Sequence, residues 1–375
     1  MRRVHERATP PDRDRASISS PRPFPKRSIS MPCDVHSNMP TERELTAMRN
    51  SAVSSTGSEP STSMDGTEPG ISTHFLKVKS KHRGKTCRLL EAHDRKSARK
   101  VIIKTFSKYG MTEALRERME RERDALKAAE AASVPNVIRL LRVFEDDDSH
   151  YTVIEHSVGE TLIELIANHG GKISEQRCRQ CVARPALEAL AGLHSLGIVH
   201  RHLKPEHIII SKTTEHGHKL RIIDFLDSAN KAKHPLSSRV GEMPYMAPEV
   251  LAAPITEEIF HQVLISGMDE RDLPQYDEKA DIWSLGAIIF ESLSGQQPFI
   301  GDSPSEILQL AQSMVSDMDE NGVPLFIASN PRLGTASAQF IRDILVLDAA
   351  KRPSAHELLS HPWLSLARES VKALQ

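Results

Sequence analysis

Three segments of the sequence combine charged side chains with apolar, strand-like runs in a pattern suited to binding phosphates and a divalent cation. Lys104 ends the β-branched run VIIK, and Asp224 lies within the run IIDFLD. A lysine on a rigid strand can neutralise phosphate oxygens, and a hard cation such as Mg²⁺ prefers carboxylate oxygens as ligands. Between them in the chain, the basic loop HRHLKPEH at 200–207 contains a second lysine, Lys204.

Two further segments complete a set with a known order along the chain. MAPE at 246–249 and DIWSLG at 281–286 follow the three segments above in the order and rough spacing of protein kinase motifs. On these five segments, residues 73–370 resemble the eukaryotic protein kinase catalytic domain. LKPE is similar to the serine/threonine class. PYMAPEVL and YDEKADIWSLGAIIFESLSGQQPF resemble its calcium/calmodulin-dependent and autophagy-initiating branches.

The elements that must position these segments change in character along the chain. The runs FLKVKS, KTCRLLEAHD and VIIKTF predict strands from Thr73 onward, and residues 112–133 predict a charged amphipathic helix. Two more strand-like runs, NVIRLLRVFED and HYTVIEHS, follow, and after Gly159 the pattern becomes mostly helical. We therefore expect an α+β, bilobal, protein-kinase-like fold. Its small β-sheet N-lobe with one helix spans about 73–156, and its larger, mostly helical C-lobe spans about 157–370.

The resemblance assigns roles to side chains around a nucleotide. It implies ATP and Mg²⁺ as cofactors, with Lys104 on the phosphates and a helix carboxylate holding that lysine. We assign the carboxylate to Glu122 rather than Glu120, because Ala125 and Leu126 then lie on the same helix face. A surface position for Glu122 is the alternative. The resemblance also implies that Ile154 is the gatekeeper and that the backbone of the hinge, Glu155-His156-Ser157, contacts the adenine. It implies that Asp224 binds the metal ion.

The sequence departs from the family pattern where the chemistry is performed. His202 stands where an active kinase has the aspartate that accepts or orients the substrate hydroxyl. His207 stands where it has the asparagine that binds the second metal ion. A histidine supplies no fixed negative charge, and its nitrogen is a poorer Mg²⁺ ligand than oxygen. The cofactor expectation is therefore weaker for Mg²⁺ than for ATP.

Three more departures surround the expected nucleotide pocket. Leu226 replaces the glycine that follows the Asp-Phe pair, and it restricts the backbone there. Ile102 replaces the small residue that covers the adenine ring. Only Gly84 is present where a kinase has three glycines over the phosphates.

Two hypotheses of function follow. The first is a pseudokinase that acts as a scaffold or allosteric regulator, because positions that carry the fold persist while those that carry catalysis are lost. The second is an active ATP-dependent serine/threonine kinase with unconventional catalysis. In that case Lys104, Asp224 and Lys204 position ATP and His202 acts as the base. Both predict a protein partner or protein substrate.

Other matches concern structure and regulation. Glu249 and Arg352 resemble a buried ion pair, and Asp281 resembles a carboxylate that braces the backbone of the loop at 200–207. Arg201 and Ser238 form a candidate regulatory pair, in which a phosphate on the serine would bind the arginine. An unmodified, solvated Ser238 is the alternative.

An apparent insertion over 252–271 separates Glu249 from Asp281. Its periodic apolar residues predict a short helix, either as a partner-docking element or as a packed elaboration. The motif CRQC, with Cys178 and Cys181 in a separate helical stretch, favours packing over zinc or redox chemistry because no second cysteine pair accompanies it.

Composition excludes several other classes of protein. The 375-residue chain has four cysteines and a formal net charge of −1, so a disulfide framework and secretion have no support. No apolar run approaches the roughly 18 residues of a membrane span, and near-neutral charge gives no general argument for nucleic-acid binding. We expect a soluble protein that binds neither membrane nor nucleic acid. It would be cytoplasmic, with a nuclear location as the alternative.

Residues 1–72 are predicted to be a disordered, basic tail. Residues 1–70 contain 12 Ser and 9 Pro, and the first 30 residues carry 8 Lys/Arg against 3 Asp/Glu, a net charge of +5. Three acids in that stretch argue against an organelle transit peptide. Ser30, three residues after Arg27, is a candidate phosphorylation site, and an unmodified linker is the alternative.

Overall fold

A computed structural model describes residues 69–84, 86–213 and 217–365. Residues 1–68 of the predicted tail, Ser30 among them, lie outside the described residues, whereas residues 69–72, predicted as the end of the disordered tail, belong to a short helix instead. The N-terminal part of the described chain is a five-stranded antiparallel sheet in the order β1-β2-β3-β5-β4, accompanied by one long helix. Its elements are α1 Pro69–His74, β1 Phe75–Arg83, β2 Arg88–Asp94, β3 Lys100–Ser107, α2 Glu113–Ala131, β4 Leu140–Glu145 and β5 Ser149–Glu155.

Burial along the sheet explains why these segments form strands. On β3, Val101, Ile103 and Phe106 are almost fully buried, and β5 is buried along its length except at Glu155. β-Branched and aromatic side chains suit such a covered, pleated surface. The short helix α1 includes Thr73, so the first strand begins at Phe75 rather than at Thr73 as predicted, and α1 buries Ile71 against this sheet.

Helix α2 places one glutamate inside the protein. Its N-cap is Thr112, whose hydroxyl accepts a hydrogen bond from the Leu115 amide at 3.2 Å. Buried residues recur along one face at Met119, Glu122 and Leu126, which is the spacing of one side of an α-helix. Glu122 therefore points toward the sheet and the C-lobe rather than to solvent.

The remaining described residues form a mostly helical lobe around the buried helix α8. Gly286 on α8 allows close packing, because a Cβ at that position would overlap the Ile344 side chain. The helices are α3 Leu162–Asn168, α4 Glu175–Arg177, a π-helix Cys178–Ala183, α5 Arg184–Ser195, α6 Pro248–Leu251, α7 Thr256–Ser266, α8 Lys279–Ser294, α9 Pro304–Ser316, α10 Leu325–Ala328, α11 Thr335–Ile344, α12 Ala355–Leu358 and α13 Pro362–Ser365. The predicted division into two lobes is confirmed.

Two small sheets hold the loop at 200–207 and the segment at 223–228, which contain the HRHLKPEH motif and most of the IIDFLD motif. One contains β6 Glu160–Thr161, β8 Ile208–Thr213 and β9 Gly217–Ile222, and the other pairs β7 Ile198–Val199 with β10 Ala229–Asn230. The loop at 200–207 runs from β7 to β8, and the segment at 223–228 runs from β9 to β10. Each is therefore fixed at both ends by strand pairing.

Several predicted packing features are present. Arg352 is 1% exposed and makes two hydrogen bonds with the Glu249 carboxylate, at 2.8 and 3.1 Å. Cys178 and Cys181 are buried in the C-lobe core, which confirms packing. The insertion contains α7, as predicted, and this helix leaves Phe260 69% exposed. Among the described residues, none of the helices combines the length and apolar character needed to cross a bilayer.

Candidate functional site

A buried ion-pair network connects the two lobes at Lys104. Its Nζ lies 2.5 Å from Glu122 Oε1 on α2 and 2.7 Å from Asp224 Oδ1, which follows β9. The three side chains are each at most 8% exposed. Burial raises the pKa of Glu122, and the Lys104 ammonium opposes that change. The structure thus brings together the three residues expected to hold the nucleotide phosphates and a metal ion.

The backbone of the loop at 200–207 is braced by one buried carboxylate. Asp281 accepts hydrogen bonds from the His200 and Arg201 amides, both at 2.8 Å, and lies 3.0 Å from His194 Nε2. Arg201 has a φ of 66°, an uncommon value for a residue with a side chain. The expected brace at Asp281 is confirmed, and it supports a strained turn directly before His202.

His202 is buried and held by a carboxylate that the motif comparison did not predict. Its Nδ1 lies 2.9 Å from Asp227 Oδ2, and the Glu242 carboxylate lies 4.0 Å from Nε2, beyond hydrogen-bond distance. Burial alone would lower the pKa of His202. The Asp227 hydrogen bond and the negative charge of Glu242 outweigh it and raise the pKa to about 9. His202 is therefore an imidazolium at neutral pH.

Asp227 connects this histidine to the N-lobe. Its Oδ1 accepts a hydrogen bond from Arg118 Nη2 of α2 at 2.7 Å, and its backbone carbonyl accepts one from Arg201 Nε at 2.8 Å. Burial favours the neutral acid, but Arg118 and His202 hold the pKa of Asp227 well below its usual value. The only sequence signal for this role is an acid three residues after Asp224.

Lys204 has a carboxylate partner of its own. Its Nζ lies 3.0 Å from Glu242 Oε2. His202 and Lys204 together lower the pKa of Glu242 to about 2. Glu242, which was also not predicted, thus balances the positive charge of the loop at 200–207.

His207 is fully buried beside the expected metal ligand. Its Nδ1 lies 2.6 Å from the His202 carbonyl oxygen, and its Nε2 lies 3.6 Å from Asp224 Oδ2. Burial and the His202 cation hold the pKa of His207 well below its usual value. His207 is therefore a neutral imidazole, in contrast to His202.

The expected adenine pocket is bordered by two branched side chains. Ile102 and Ile154 are direct partners in the β3–β5 pairing, and Ile102 packs against the apolar clusters of both lobes. At the hinge, Glu155 binds Arg221 Nε at 2.7 Å, and Ser157 is half-buried. The connection that would cover phosphates lies between the end of β1 at Arg83 and the start of β2 at Arg88, and its sequence has a single glycine, Gly84.

Leu226 fills space between the lobes. It is 3% exposed and joins an apolar cluster with Leu89, Phe106 and Met119 of the N-lobe. The preceding Phe225 is fully buried, with its ring edge-on to His200 at 4.7 Å between centroids. The side chain at 226 thus anchors the segment by packing where a glycine would leave it free.

The segment that carries Ser238 is attached to the insertion. Ser237 Oγ donates to Glu270 Oε1 at 2.5 Å, and the Tyr276 hydroxyl donates to the Ser238 carbonyl at 2.8 Å. Ser238 is 9% exposed, and the Arg201 guanidinium donates through Nε to Asp227. A phosphate could reach Ser238 only after this segment opens.

The fold and these contacts agree with comparisons to known sequences. The protein kinase domain profile matches residues 81–364. The chain is 31% identical over 285 residues to CDPK-related kinase 1 of Arabidopsis thaliana, covering 76% of this chain and 44% of that protein. It is 31% identical over 270 residues to serine/threonine-protein kinase cds1 of Schizosaccharomyces pombe, covering 71% of this chain and 50% of that protein. The chain therefore belongs to the eukaryotic protein kinase family, serine/threonine class.

A further relative is calcium/calmodulin-dependent serine/threonine-protein kinase 1 of Oryza sativa subsp. japonica, 30% identical over 312 residues, or 81% of this chain and 46% of that protein. The chain spans about half the length of the curated relatives it matches. Family membership implies ATP and Mg²⁺ in general.

Proposed function

We propose that this kinase domain is a pseudokinase, which binds a protein partner through the kinase fold and transfers no phosphate. One observation carries the proposal: the position of the catalytic aspartate holds a buried histidine, His202, whose Nδ1 lies 2.9 Å from Asp227 Oδ2. With a pKa of about 9, His202 carries protons on both ring nitrogens at neutral pH. It has no lone pair with which to accept the proton of a substrate hydroxyl.

Neighbouring carboxylates are poor substitutes for the missing base. Asp227 is bound by His202 and Arg118, and both hold its pKa well below the usual value. Glu242 is bound by Lys204 and has a pKa of about 2. Because a general base works best with a pKa near the working pH, neither carboxylate is suited to proton abstraction.

The cofactor positions are suited to ATP but not to a second Mg²⁺ ion. Lys104, held by Glu122 and Asp224, presents an ammonium where phosphates would lie, and Asp224 offers an oxygen that Mg²⁺ prefers. His207 offers a nitrogen in place of the second oxygen ligand. Bound Mg²⁺ would neutralise phosphate charge, and here one of its two protein ligands is unsuitable.

Weak phosphoryl transfer is the second candidate function. The Lys104 to Glu122 distance of 2.5 Å favours it, because this pair is required in active kinases. Positioning and charge supply much of the rate of phosphoryl transfer, so residual activity does not require a base. In this alternative, Lys104 and Asp224 position ATP while His202 serves as a fixed cation.

Incorporation of phosphate decides between the two candidates. The purified chain and a generic protein substrate are incubated with labelled ATP and either Mg²⁺ or Mn²⁺, beside Lys104→Ala and an active kinase of the same class. We expect the wild type to incorporate no more label than Lys104→Ala. Incorporation that Lys104→Ala abolishes would establish the active kinase instead.

Nucleotide binding is measured separately by thermal shift with ATP, with and without Mg²⁺. Ile102→Ala is the matched variant, since it removes the branched side chain that borders the pocket. We expect the variant to show the larger ATP-induced stabilisation. Equal shifts would mean that Ile102 does not restrict the pocket.

A further inference from the structure

The helix of the insertion presents a cluster of apolar side chains to solvent. Phe260, Leu264 and Ile265 of α7 are 69–71% exposed, and Met268, two residues after the helix, is 42% exposed. Among the described residues, these are four of the eleven large apolar side chains that are exposed. Single exposed apolar residues are ordinary, but a contiguous group marks a surface that another molecule covers. We call these four side chains the α7 patch.

The α7 patch is not the side by which the helix packs on its own domain. Ile259 is 4% exposed and Val263, one turn later, is half-buried, so these two residues form the packed side. Phe260 and Leu264 each follow one of them by a single residue, which rotates them by about 100° around the helix axis. A helix that only packs on its domain needs one apolar stripe, whereas α7 has a second stripe that the domain leaves uncovered.

Acidic side chains border the α7 patch. Glu257 and Glu258 are exposed, and they precede Phe260 by three residues and Ile265 by seven, spacings that place them beside the patch. Residues 256–272 carry five Asp or Glu and one Arg, a net charge of −4 with histidine neutral. Surfaces that associate have complementary charge, and like charges across an interface repel. The α7 patch therefore favours a basic partner.

We propose that the α7 patch binds a basic, amphipathic helix of a partner protein. The patch extends over about two turns of α7, and side chains in rows along one helix pack into the grooves of another. Apolar side chains of the partner helix cover the patch, while Lys or Arg side chains beside them meet the acidic border. The inference rests on the proposed function, because it names the surface through which the kinase fold binds its protein partner.

Two other occupants suit the α7 patch less well. A second copy of the chain would bring an identical acidic border against this one, which opposes association. The basic segment at 1–30 has a suitable charge, but it contains five prolines, and proline interrupts a helix. A partner helix is therefore the occupant that matches both the apolar stripe and its charge.

Binding of two defined peptides to the full chain tests the inference. The probes are fluorescent peptides of about 18 residues, or five helical turns, made of Leu and Lys or of Leu and Glu, with Leu at the same positions of one helix face. Fluorescence anisotropy measures their affinities. We expect the Leu-Lys peptide to bind at least about tenfold more tightly than the Leu-Glu peptide. It should also protect the amides of residues 256–268 from hydrogen exchange in the wild type.

Variants locate the binding surface. Phe260→Ala combined with Leu264→Ala should weaken the Leu-Lys peptide by at least about tenfold, because a few central apolar residues carry most of the energy of such an interface. Glu257→Lys should weaken the Leu-Lys peptide and strengthen the Leu-Glu peptide. Tyr109→Ala, which truncates a 96%-exposed aromatic residue of the N-lobe, is the matched control and should leave both affinities unchanged.

Several outcomes would overturn the inference. They are failure of the Leu-Lys peptide to bind, equal affinity of the two peptides, full affinity in the Phe260 and Leu264 double variant, and no protection at 256–268. Dimerisation in sedimentation that the double variant abolishes would assign the patch to a second copy instead. Binding that appears only after removal of residues 1–30 would assign it to the tail. Phosphate incorporation by the wild type would contradict the proposed function alone, so the two failures are distinct.

Discussion

His202 donates a hydrogen bond from Nδ1 to Asp227 Oδ2 over 2.9 Å, while Arg118 of the N-lobe helix donates to the other oxygen of the same carboxylate over 2.7 Å. The position of a catalytic base is thereby occupied by the cationic partner of a buried ion pair. That pair belongs to the structural framework that joins the lobes. Its charge state has consequences that can be measured.

The free energy of unfolding should depend on pH through His202. Its pKa is about 9 in the folded chain against an ordinary value of 6.5, so its stabilising contribution is complete below pH 6.5 and is lost as the pH rises through 9. The loss amounts to about 3 kcal/mol. Urea unfolding at pH 6.5 and at pH 9 measures it, with His202→Gln as the control. The loss should be absent from the variant. An equal loss in both proteins would assign it to other groups.

Restoring the aspartate typical of active kinases should destabilise the protein. In His202→Asp, the new carboxylate would lie beside the buried Asp227 carboxylate, at a cost of about 3–5 kcal/mol in unfolding free energy. Adding Asp227→Leu removes the repulsion and should recover part of that loss, although Arg118 then lacks its partner. Chemical denaturation of the two variants and the wild type tests this. A double variant no more stable than His202→Asp would contradict it.

Catalytic repair therefore needs more than the residues that face the nucleotide. If the lost motif residues alone limit activity, phosphate incorporation should rise in a variant carrying His202→Asp, Asp227→Leu, His207→Asn and Leu226→Gly. The same set with Lys104→Ala is the matched control and should remain inactive. No increase in a folded variant would place the defect in the nucleotide pocket instead.

Two glutamates on α2 provide a paired test of the lobe-bridging network. Glu122→Gln removes one carboxylate from Lys104 in a buried environment and should lower the unfolding free energy by about 1–3 kcal/mol. Glu120→Gln, on the exposed face of the same helix, should change it by less than about 0.5 kcal/mol. Urea denaturation of both variants at pH 7 is the measurement. Equal effects would show that the Lys104 to Glu122 contact adds no stability.

Leu226 should stabilise the fold by packing. Leu226→Ala removes a 3%-exposed side chain from the cluster with Leu89, Phe106 and Met119 and should cost about 2–5 kcal/mol. Leu264→Ala, on the 71%-exposed face of α7, is the control and should cost less than about 0.5 kcal/mol. Thermal or chemical unfolding tests the pair. A small loss at Leu226 would mean that the segment collapses around the missing side chain.

The sequence predicts the parts of this site that depend on local pattern. The burial of Glu122 follows from helix periodicity, and the placement of His202 and His207 follows from their spacing within one loop. Contacts between residues that are far apart in the sequence cannot be predicted from a local sequence pattern. Arg118 and Asp227 are 109 residues apart, and His202 and Asp227 are 25 residues apart. Their pairing depends on how the lobes pack, which no local signal specifies.

The bridges described above affect ligand binding as well as stability. The Lys104–Asp224 and Arg118–Asp227 ion pairs and the Leu226 cluster all join the N-lobe to the segment at 223–228. Because the protein's own side chains make these contacts, we expect a bound nucleotide to change the arrangement of the two lobes only slightly. We expect the surface offered to a protein partner to be the same with the cleft filled or empty, which suits a constitutive platform better than a nucleotide-operated switch.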